Sequence, residues 1–493
     1  MTGEQDEEPR RAAYDAFTAA HSLGAEGRHE EAVTAYRRAL DLYRGLPDSE
    51  QQQANCLHDI GVALRAMGND EEAVAAYRQA ADLYRCLSGN ERDQADCLYH
   101  VADILDTTGR QEEAASDYRR ALDLYRGLPD CEHNQARCLY NIGVALYAAG
   151  RYEDAMTANQ QELDLYRGLQ DGEQQANGLR NTAVILRTMG DDEEAVAAYR
   201  KALSLYRGLP DSEQDQADCL ANIVSLLEKA EQRKEALAIY RQALDLYRGL
   251  PDSEQDQAST LFNAGVTLDE AERYDQALAS YRQALDLYRG PPDSEQQQAG
   301  CLYNTGNVLH KTERHEEALA SYQDALAIFR KADGTQYQQA ICLNNTATTL
   351  ERMGRYEEAL TAYHSALKLD RSLPDNEQQQ AECLFNIGNS LYAMERHEEA
   401  LASYQDALTL FRQVGDTPHQ AICLINIANA LYAAGRHEES LASLRKALGV
   451  YRQADGTEQD QVDCLSLIGD LLNHMGRHKE AQDAYQQAQD HHR

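Results

Sequence analysis

Apolar residues recur with a helical period in two successive stretches of residues 383–412, CLFNIGNSLYAMERHEEALASYQDALTLFR. Read at about 100° per residue, the first stretch places Leu384 and Leu391 on one stripe, and the second does the same for Ala400 and Tyr404. Between the two stretches, MERHEE interrupts the apolar period and supplies carboxylates where the dipole of the second helix favours negative charge. The pattern predicts a helical hairpin.

This hairpin pattern is repeated along the whole chain. Equivalents of Leu384 are separated by 41 residues, with two steps of 40, and they are Leu57, Leu98, Leu139, Leu179, Leu220, Leu261, Leu302, Leu343, Leu424 and Leu465. Equivalents of Ala400 are Ala32, Ala73, Ala114, Ala155, Ala195, Ala236, Ala277, Ala318, Ala359, Ser440 and Ala481. Such self-similarity is the sequence signature of a repeat architecture. We therefore predict an all-α solenoid of about twelve helix-turn-helix repeats.

The residues that recur in each unit resemble those of a known family. Their order and spacing over about residues 12–490 are similar to the tetratricopeptide repeat, and in one copy they are Leu384, Gly388, Leu391, Ala400, Tyr404 and Ala407. The 41-residue period resembles the lengthened repeats of kinesin light chains. The resemblance implies a right-handed α-solenoid superhelix whose first helices line a concave groove.

The two ends of the chain differ from its interior repeats. Residues 1–10 are acidic and polar, and we expect them to be disordered. Residues 11–490 are expected to form a single superhelix, with capping hairpins at about 11–47 and 461–490. The first of these hairpins lacks large apolar residues in its first helix, and the last helix is polar, as solvent-facing caps should be.

The connectors between hairpins predict their own turns. In GLPDSEQQQ, Gly45 is expected to end a helix, and Pro47 prevents its continuation. Ser49 and Gln52 fit a capping box for the helix that follows.

The fourth hairpin departs from the pattern. Asn159 replaces the tyrosine, Glu162 replaces an alanine and Gly178 replaces a cysteine. One interpretation is a drifted, locally loosened repeat. The other is that the small Gly178 makes room for Glu162 to reach Arg180, which would create a kink or a polar pocket.

Composition narrows the functional classes. The net charge of −35, from 82 acidic against 47 basic residues, argues against nucleic-acid binding, which requires a basic surface. The start of the chain is polar and no run of eighteen apolar residues occurs, so we expect no signal peptide and no membrane span. Nine of the eleven cysteines share one repeat position, which favours buried packing residues in a reducing cytoplasm.

Signatures of catalysis and of metal or cofactor binding are missing from the sequence. It contains no Walker A loop, HExxH motif, serine nucleophile elbow or CxxC pair. We expect neither an enzyme nor a cofactor or metal site.

The candidate site is the face of the first helices opposite their core stripe. Eight successive hairpins carry an asparagine there, and these are Asn141, Asn181, Asn222, Asn263, Asn304, Asn345, Asn386 and Asn426. A carboxamide both donates and accepts hydrogen bonds, which matches the alternating groups of an extended peptide backbone. This row resembles the asparagine ladder of some tetratricopeptide superhelices, although asparagine is also common in the repeat for structural reasons.

Further amides and aromatic residues flank this row. The additional amides, three residues after the row, are Asn307, Asn389 and Asn429. The aromatic residues are Tyr140, Phe262, Tyr303, Phe385, Tyr392 and Tyr432, with Tyr99 and Tyr147 at the same two places. Amides and aromatic rings on one open face are suited to recognition. We predict that this set binds peptide.

These observations favour a non-enzymatic adaptor that is monomeric and holds an extended segment of a partner protein. A peptide-sensing allosteric regulator and a self-assembling structural solenoid remain as alternatives.

The clamp that binds chaperone C-terminal tails requires a basic residue one turn before the asparagine, and this chain has one only at Arg137.

Overall fold

The computed structural model describes residues 4–290, 294–454 and 457–491. Within these ranges all regular secondary structure is helical and no strand occurs. The helices are α1 (Glu4–Ala25), α2 (His29–Arg44), α3 (Glu50–Ala66), α4 (Asp70–Arg85), α5 (Glu91–Thr107), α6 (Gln111–Arg126), α7 (Glu132–Ala148), α8 (Tyr152–Leu169), α9 (Gly172–Met189), α10 (Asp192–Tyr206), α11 (Glu213–Lys229), α12 (Arg233–Tyr247), α13 (Glu254–Glu270), α14 (Tyr274–Tyr288), α15 (Glu295–Lys311), α16 (His315–Phe329), α17 (Gln336–Arg352), α18 (Tyr356–Asp370), α19 (Glu377–Ala393), α20 (His397–Val414), α21 (Thr417–Ala433), α22 (His437–Tyr451), α23 (Glu458–His474) and α24 (His478–His491). The predicted all-α class is confirmed.

Helices pack in the order of the chain. Within each of the two compact units given below, an odd-numbered helix packs against the even-numbered helix that follows it, as α19 does against α20, and the next hairpin packs on that pair, as α21 does on α20. Stacked hairpins of this kind make an α-solenoid. The chain divides into two compact units, Met1–Gln232 and Arg233–Arg493. The single superhelix expected over residues 11–490 therefore stays a prediction.

The core of each unit consists of the apolar stripes that define the repeat. In one hairpin, Leu384, Leu391, Ala400 and Tyr404 are all buried. A tyrosine ring of the second helix lies directly on the glycine of the first, so that a Cβ built on Gly388 would lie 2.5 Å from Cε1 of Tyr404. Glycine is therefore the residue that lets this ring and the first helix approach so closely.

The nine cysteines at one repeat position are buried and carry free thiols, as their packing role predicts. Three of the thiols also donate a hydrogen bond to the preceding hairpin. Sγ of Cys342 lies 3.2 Å from the carbonyl oxygen of Tyr322, and Sγ of Cys383 lies 3.1 Å from that of Tyr363. Burial raises the pKa of the Cys383 thiol to about 12, which keeps the thiol neutral.

The connectors reach the predicted turn by a different mechanism from the capping box. Gly45 has ordinary right-handed helical angles, and the left-handed residue is Asp48 with φ of 51°. The Ser49 side chain does not cap α3. Its hydroxyl donates instead to the carbonyl oxygens of Tyr43 at 2.6 Å and Leu46 at 2.9 Å. The capping-box prediction was wrong because the turn brings these carbonyls, at and just beyond the end of α2, within reach of the hydroxyl, and a carbonyl oxygen such as that of Tyr43, which already accepts from the Leu46 N–H, can accept a second hydrogen bond.

The first helix begins earlier than the expected start at Arg11. Of residues 1–10, which the sequence predicted to be disordered, residues 1–3 lie outside the described ranges, whereas residues 4–10 belong to α1 with Pro9 inside that helix. Acidic residues in the first turns favour a helix start. Nη2 of Arg10 also donates to the carbonyl oxygen of Pro47 at 2.6 Å, which ties this end of α1 to the first connector.

Candidate peptide-binding face

The asparagine row lies on odd-numbered helices in both units, and we call it the ladder face. Of its eight asparagines, Asn263 is exposed and the other seven are half-buried. These seven are Asn141, Asn181, Asn222, Asn304, Asn345, Asn386 and Asn426. Partial burial already shows that some carboxamides contact neighbouring hairpins.

Several ladder carboxamides bond to the hairpin before them. Nδ2 of Asn345 donates to the hydroxyl of Tyr303 at 2.9 Å and to Oδ1 of Asn307 at 3.0 Å. Nδ2 of Asn426 donates to Oδ1 of Asn389 at 3.2 Å. These asparagines therefore help to hold one first helix against the next.

Two of the additional amides accept a hydrogen bond from a buried tyrosine of their own hairpin. The hydroxyl of Tyr322 donates to Oδ1 of Asn307 at 2.8 Å, and that of Tyr404 donates to Oδ1 of Asn389 at 2.8 Å. Asn307 and Asn389 thus link three elements, namely their own first helix, its partner helix and the next hairpin.

A second group of amides forms no side-chain hydrogen bond with any described residue. This group comprises Asn181, Asn263, Asn386 and Asn429. Asn263 and Asn429 are exposed, so their donors and acceptors point to solvent. We call these four the free amides, because they can bond to a ligand without losing an internal contact.

The other three ladder asparagines also have partners, which for Asn141 and Asn222 lie in the preceding hairpin and for Asn304 in its own helix. Nδ2 of Asn141 donates to the hydroxyl of Tyr99 at 2.7 Å. Asn222 accepts a hydrogen bond from Nη1 of Arg187 at 2.7 Å, and Asn304 lies 3.5 Å from Nδ2 of Asn307. The uniform row of the sequence is thus divided into bonded and free positions.

The predicted aromatic residues also fall into two groups. Tyr140, Tyr392 and Tyr432 are 44%, 37% and 42% exposed, so their rings are available to a ligand. The half-buried rings pack against core tyrosines, with centroid distances of 5.8 Å for Phe262 to Tyr281, 6.0 Å for Tyr303 to Tyr322 and 5.7 Å for Phe385 to Tyr404. The second group supports the hairpin as well as lining the face.

Charges of both signs lie beside the ladder. Nη1 of Arg180 is 2.6 Å from Oδ1 of Asp215, and Nζ of Lys311 is 2.8 Å from Oδ2 of Asp269. Glu351 accepts hydrogen bonds from Tyr363 and Ser390, each at 3.0 Å, and burial raises the pKa of its carboxyl. Glu351 lies six residues after Asn345, nearly two helical turns beyond the ladder, and its partial burial was not predicted because it depends on the next hairpin.

The fourth hairpin does not contain the predicted contact between Glu162 and Arg180. Arg180 bonds to Asp215, and Oε2 of Glu162 is buried without a partner. The space at Gly178 is filled by Leu163, since a Cβ there would lie 2.7 Å from Leu163 Cδ2. A pocket does form in this hairpin, at the place where most other hairpins carry a tyrosine. Here the residue is Asn159, whose side chain is smaller.

This pocket opens beside Asn159 and has a volume of about 110 Å³. The residues that line it are Tyr140, Gly143, Val144, Tyr147, Asn159, Asn181, Val184 and Ile185. Tyr140, Tyr147 and Asn181 belong to the face that the sequence predicted to bind peptide, whereas the pocket and its apolar wall were not predicted, although the missing tyrosine was a visible signal.

Metal sites and membrane-spanning helices would each require a feature that the described ranges do not contain. No cluster of three or more histidine, cysteine, aspartate or glutamate residues that could hold a metal ion occurs there. No helix in the same ranges is both long enough and apolar enough to cross a membrane.

Comparison with known proteins identifies the repeats. A family model described as tetratricopeptide repeat matches residues 13–85, 93–168, 135–208, 215–290, 298–372, 379–453 and 420–493. Two further tetratricopeptide repeat models match residues 262–333 and 175–245. No curated protein matches the chain.

Solved structures that are similar share little sequence with this chain. The crystal structure of BtubC (BKLC) from P. vanneervenii is 20% identical, with a TM-score of 0.40, and the match covers 45% of this chain and 92% of that one. The apo form of RapI is 14% identical, with a TM-score of 0.39, and the match covers 55% of this chain and 94% of that one. Because the family model matches segments from residue 13 to residue 493, this chain belongs to the tetratricopeptide repeat family.

Proposed function

We propose that this chain is a non-enzymatic scaffold that binds an extended peptide segment of a partner protein on the ladder face. Its tetratricopeptide repeats support a role in protein interaction in general. The observation that carries the peptide proposal is the set of free amides, which lie beside exposed tyrosines such as Tyr392 and Tyr432.

The chemistry of this face fits an extended backbone. A peptide strand presents N–H and C=O groups in alternation, and each free carboxamide can pair with both. The exposed rings supply apolar area that loses little conformational entropy when it is covered. The proposal includes a monomeric chain in the cytoplasm, and its free buried thiols fit a reducing compartment.

The test uses a displayed library of unstructured peptides. A peptide selected on the intact chain is synthesised, and its Kd is measured for the intact chain and for the triple variant Asn263→Ala, Asn386→Ala, Asn429→Ala. Each lost hydrogen bond is worth about 1 kcal/mol, so the triple variant should bind roughly a hundredfold more weakly.

The control is Asn69→Ala, because Asn69 is an exposed asparagine in a turn away from the ladder face and caps no helix with its side chain. We expect this variant to bind the peptide as the intact chain does. An unchanged Kd in the triple variant would remove the ladder face from the account. A selected motif of only a few residues would favour the peptide-sensing regulator over the adaptor.

A further inference from the structure

The second helix of nearly every hairpin carries a tyrosine that packs on the first helix. It is present in ten of twelve hairpins, at Tyr36, Tyr77, Tyr118, Tyr199, Tyr240, Tyr281, Tyr322, Tyr363, Tyr404 and Tyr485. The two exceptions are Asn159 in the fourth hairpin and Leu444 in the eleventh.

The ring fills a defined slot in the regular hairpins. A Cβ built on Gly265 would lie 2.6 Å from Tyr281 Cε1, and one on Gly306 would lie 2.6 Å from Tyr322 Cε1. At Gly143 the nearest atom to such a Cβ is the carbonyl oxygen of Ala155 at 3.7 Å, and no ring is close. The slot of the fourth hairpin is therefore open, and we call it the tyrosine slot.

The eleventh hairpin supports this cause independently. A cavity of about 190 Å³ lies beside Leu444, and its lining includes Tyr432 and Leu471, the repeat equivalents of Tyr147 and Ile185. Cavities thus occur at equivalent places in both hairpins that lack the tyrosine. The missing ring explains them better than a local distortion of α8 does.

The tyrosine slot combines an apolar wall with one unused polar atom. Val144, Val184 and Ile185 form part of the wall. Asn159 is 3% exposed, and its Nδ2 donates to the carbonyl oxygen of Gly178 at 3.0 Å and to Oγ1 of Thr182 at 2.6 Å. Its Oδ1 accepts no hydrogen bond from the described residues.

We propose that the tyrosine slot binds an aromatic side chain of the partner peptide, with a tyrosine preferred because its hydroxyl can donate to Oδ1 of Asn159. This inference rests on the proposed function and names its specificity. The tyrosine rings that lie on Gly265 and Gly306 in the regular hairpins show that the equivalent place has the right shape for such a ring. Asn181, a free amide, lies at the same pocket and would bond to the adjoining backbone.

The test uses p-cresol, the side-chain analogue of tyrosine, and reads its binding by saturation-transfer NMR. All proteins carry Leu444→Tyr, which closes the second cavity. We expect p-cresol to bind this background, and toluene to bind it more weakly. Asn159→Tyr fills the slot and should abolish binding, and Gly143→Leu, which fills it from α7, should do the same.

A further variant tests whether an opened slot in another hairpin gains p-cresol binding. Hairpin seven has Gly265 and Val266 where hairpin four has Gly143 and Val144, so Tyr281→Asn should open an equivalent slot. Adding it to Asn159→Tyr should restore p-cresol binding. Circular dichroism of each variant establishes that it is folded.

The p-cresol and peptide measurements can contradict the slot proposal and the ladder-face proposal independently. Undiminished p-cresol binding in both folded slot-filling variants would overturn the slot proposal, even if the free-amide variant still lost peptide affinity. Loss of p-cresol binding in those variants, with peptide affinity unaffected by the free amides, would support the slot and contradict the ladder.

Discussion

At the scale of the residue, the same residue type can have different surroundings at equivalent places of the repeat. Gly388 lies under the Tyr404 ring, whereas Gly143 faces the open tyrosine slot. Glycine in a helix interior costs about 1 kcal/mol relative to alanine, and a close ring contact offsets this cost at Gly388 but not at Gly143. The two glycines should therefore respond to the same substitution in opposite directions.

Gly388→Ala should destabilise the chain, because the added Cβ would lie 2.5 Å from the Tyr404 ring. Overpacking of this kind costs about 1 to 3 kcal/mol. Gly143→Ala should stabilise it by up to about 1 kcal/mol, since its Cβ meets only ordinary contacts. Urea unfolding midpoints measure both, and a lower midpoint for Gly143→Ala would contradict the open slot.

Glu162 predicts a pH dependence of stability. Burial raises the pKa of its carboxyl from 4.5 to about 7, and no partner compensates Oε2. Below pH 4.5 the group is protonated in both the folded and the unfolded state, so its ionisation adds no cost to folding. The cost grows as pH rises toward 7 and reaches about 3 kcal/mol above it.

Glu162→Ala restores the residue of the other hairpins and should remove this cost. We expect the variant to be more stable than the unmodified chain at pH 8 by up to about 3 kcal/mol, with the difference vanishing near pH 4. Unfolding midpoints across this pH range measure the difference, with Glu153→Gln, an exposed site on α8, as control. A difference independent of pH would refute the buried carboxyl.

At the scale of the element, several connectors fix one hairpin to the next through a serine or threonine just before the first helix. The hydroxyl of Ser212 donates to the carbonyl oxygens of Tyr206 at 2.6 Å and Leu209 at 3.0 Å, and Ser212 is buried. The same pair of contacts recurs at Ser49 and, with threonine, at Thr457. In these connectors the hydroxyl therefore bonds to carbonyl groups at and just after the end of the preceding helix, and not to the N–H groups at the start of the next.

Ser212→Ala should leave two carbonyl groups without this donor and cost about 1 to 3 kcal/mol. Ser403→Ala is the matched control, because that hydroxyl is exposed and bonds only within its own helix. The control should stay within about 0.5 kcal/mol of the unmodified chain. Equal unfolding midpoints for the two variants would show that the connector bonds do not matter.

The sequence predicted the elements well because their causes are local. The period of Leu384 and Leu391 was enough to define a first helix and its buried side. The bonds of Asn345 to Tyr303 and Asn307 were beyond the sequence, because they depend on how one hairpin packs on another. For the same reason, the pattern could not show that Leu163 would fill the space beside Gly178.

At the scale of the whole molecule, the chain is a repeated hairpin, and we propose that its recognition chemistry lies at the positions that vary between copies. Core positions barely vary, whereas the tyrosine slot, the free amides and the flanking charges differ from one hairpin to the next. A net charge of −35 keeps such a chain soluble and disfavours acidic ligands. In this account, the partner segment is extended, carries an aromatic side chain and is not strongly acidic.

The central claim is that free carboxamides, and not those already bonded between hairpins, bind the peptide. The most direct measurement is the Kd of one selected peptide, by calorimetry, for the intact chain and for the triple variant of Asn263, Asn386 and Asn429. The account predicts roughly hundredfold weaker binding with an unchanged unfolding midpoint. Equal affinities for the two proteins would contradict it.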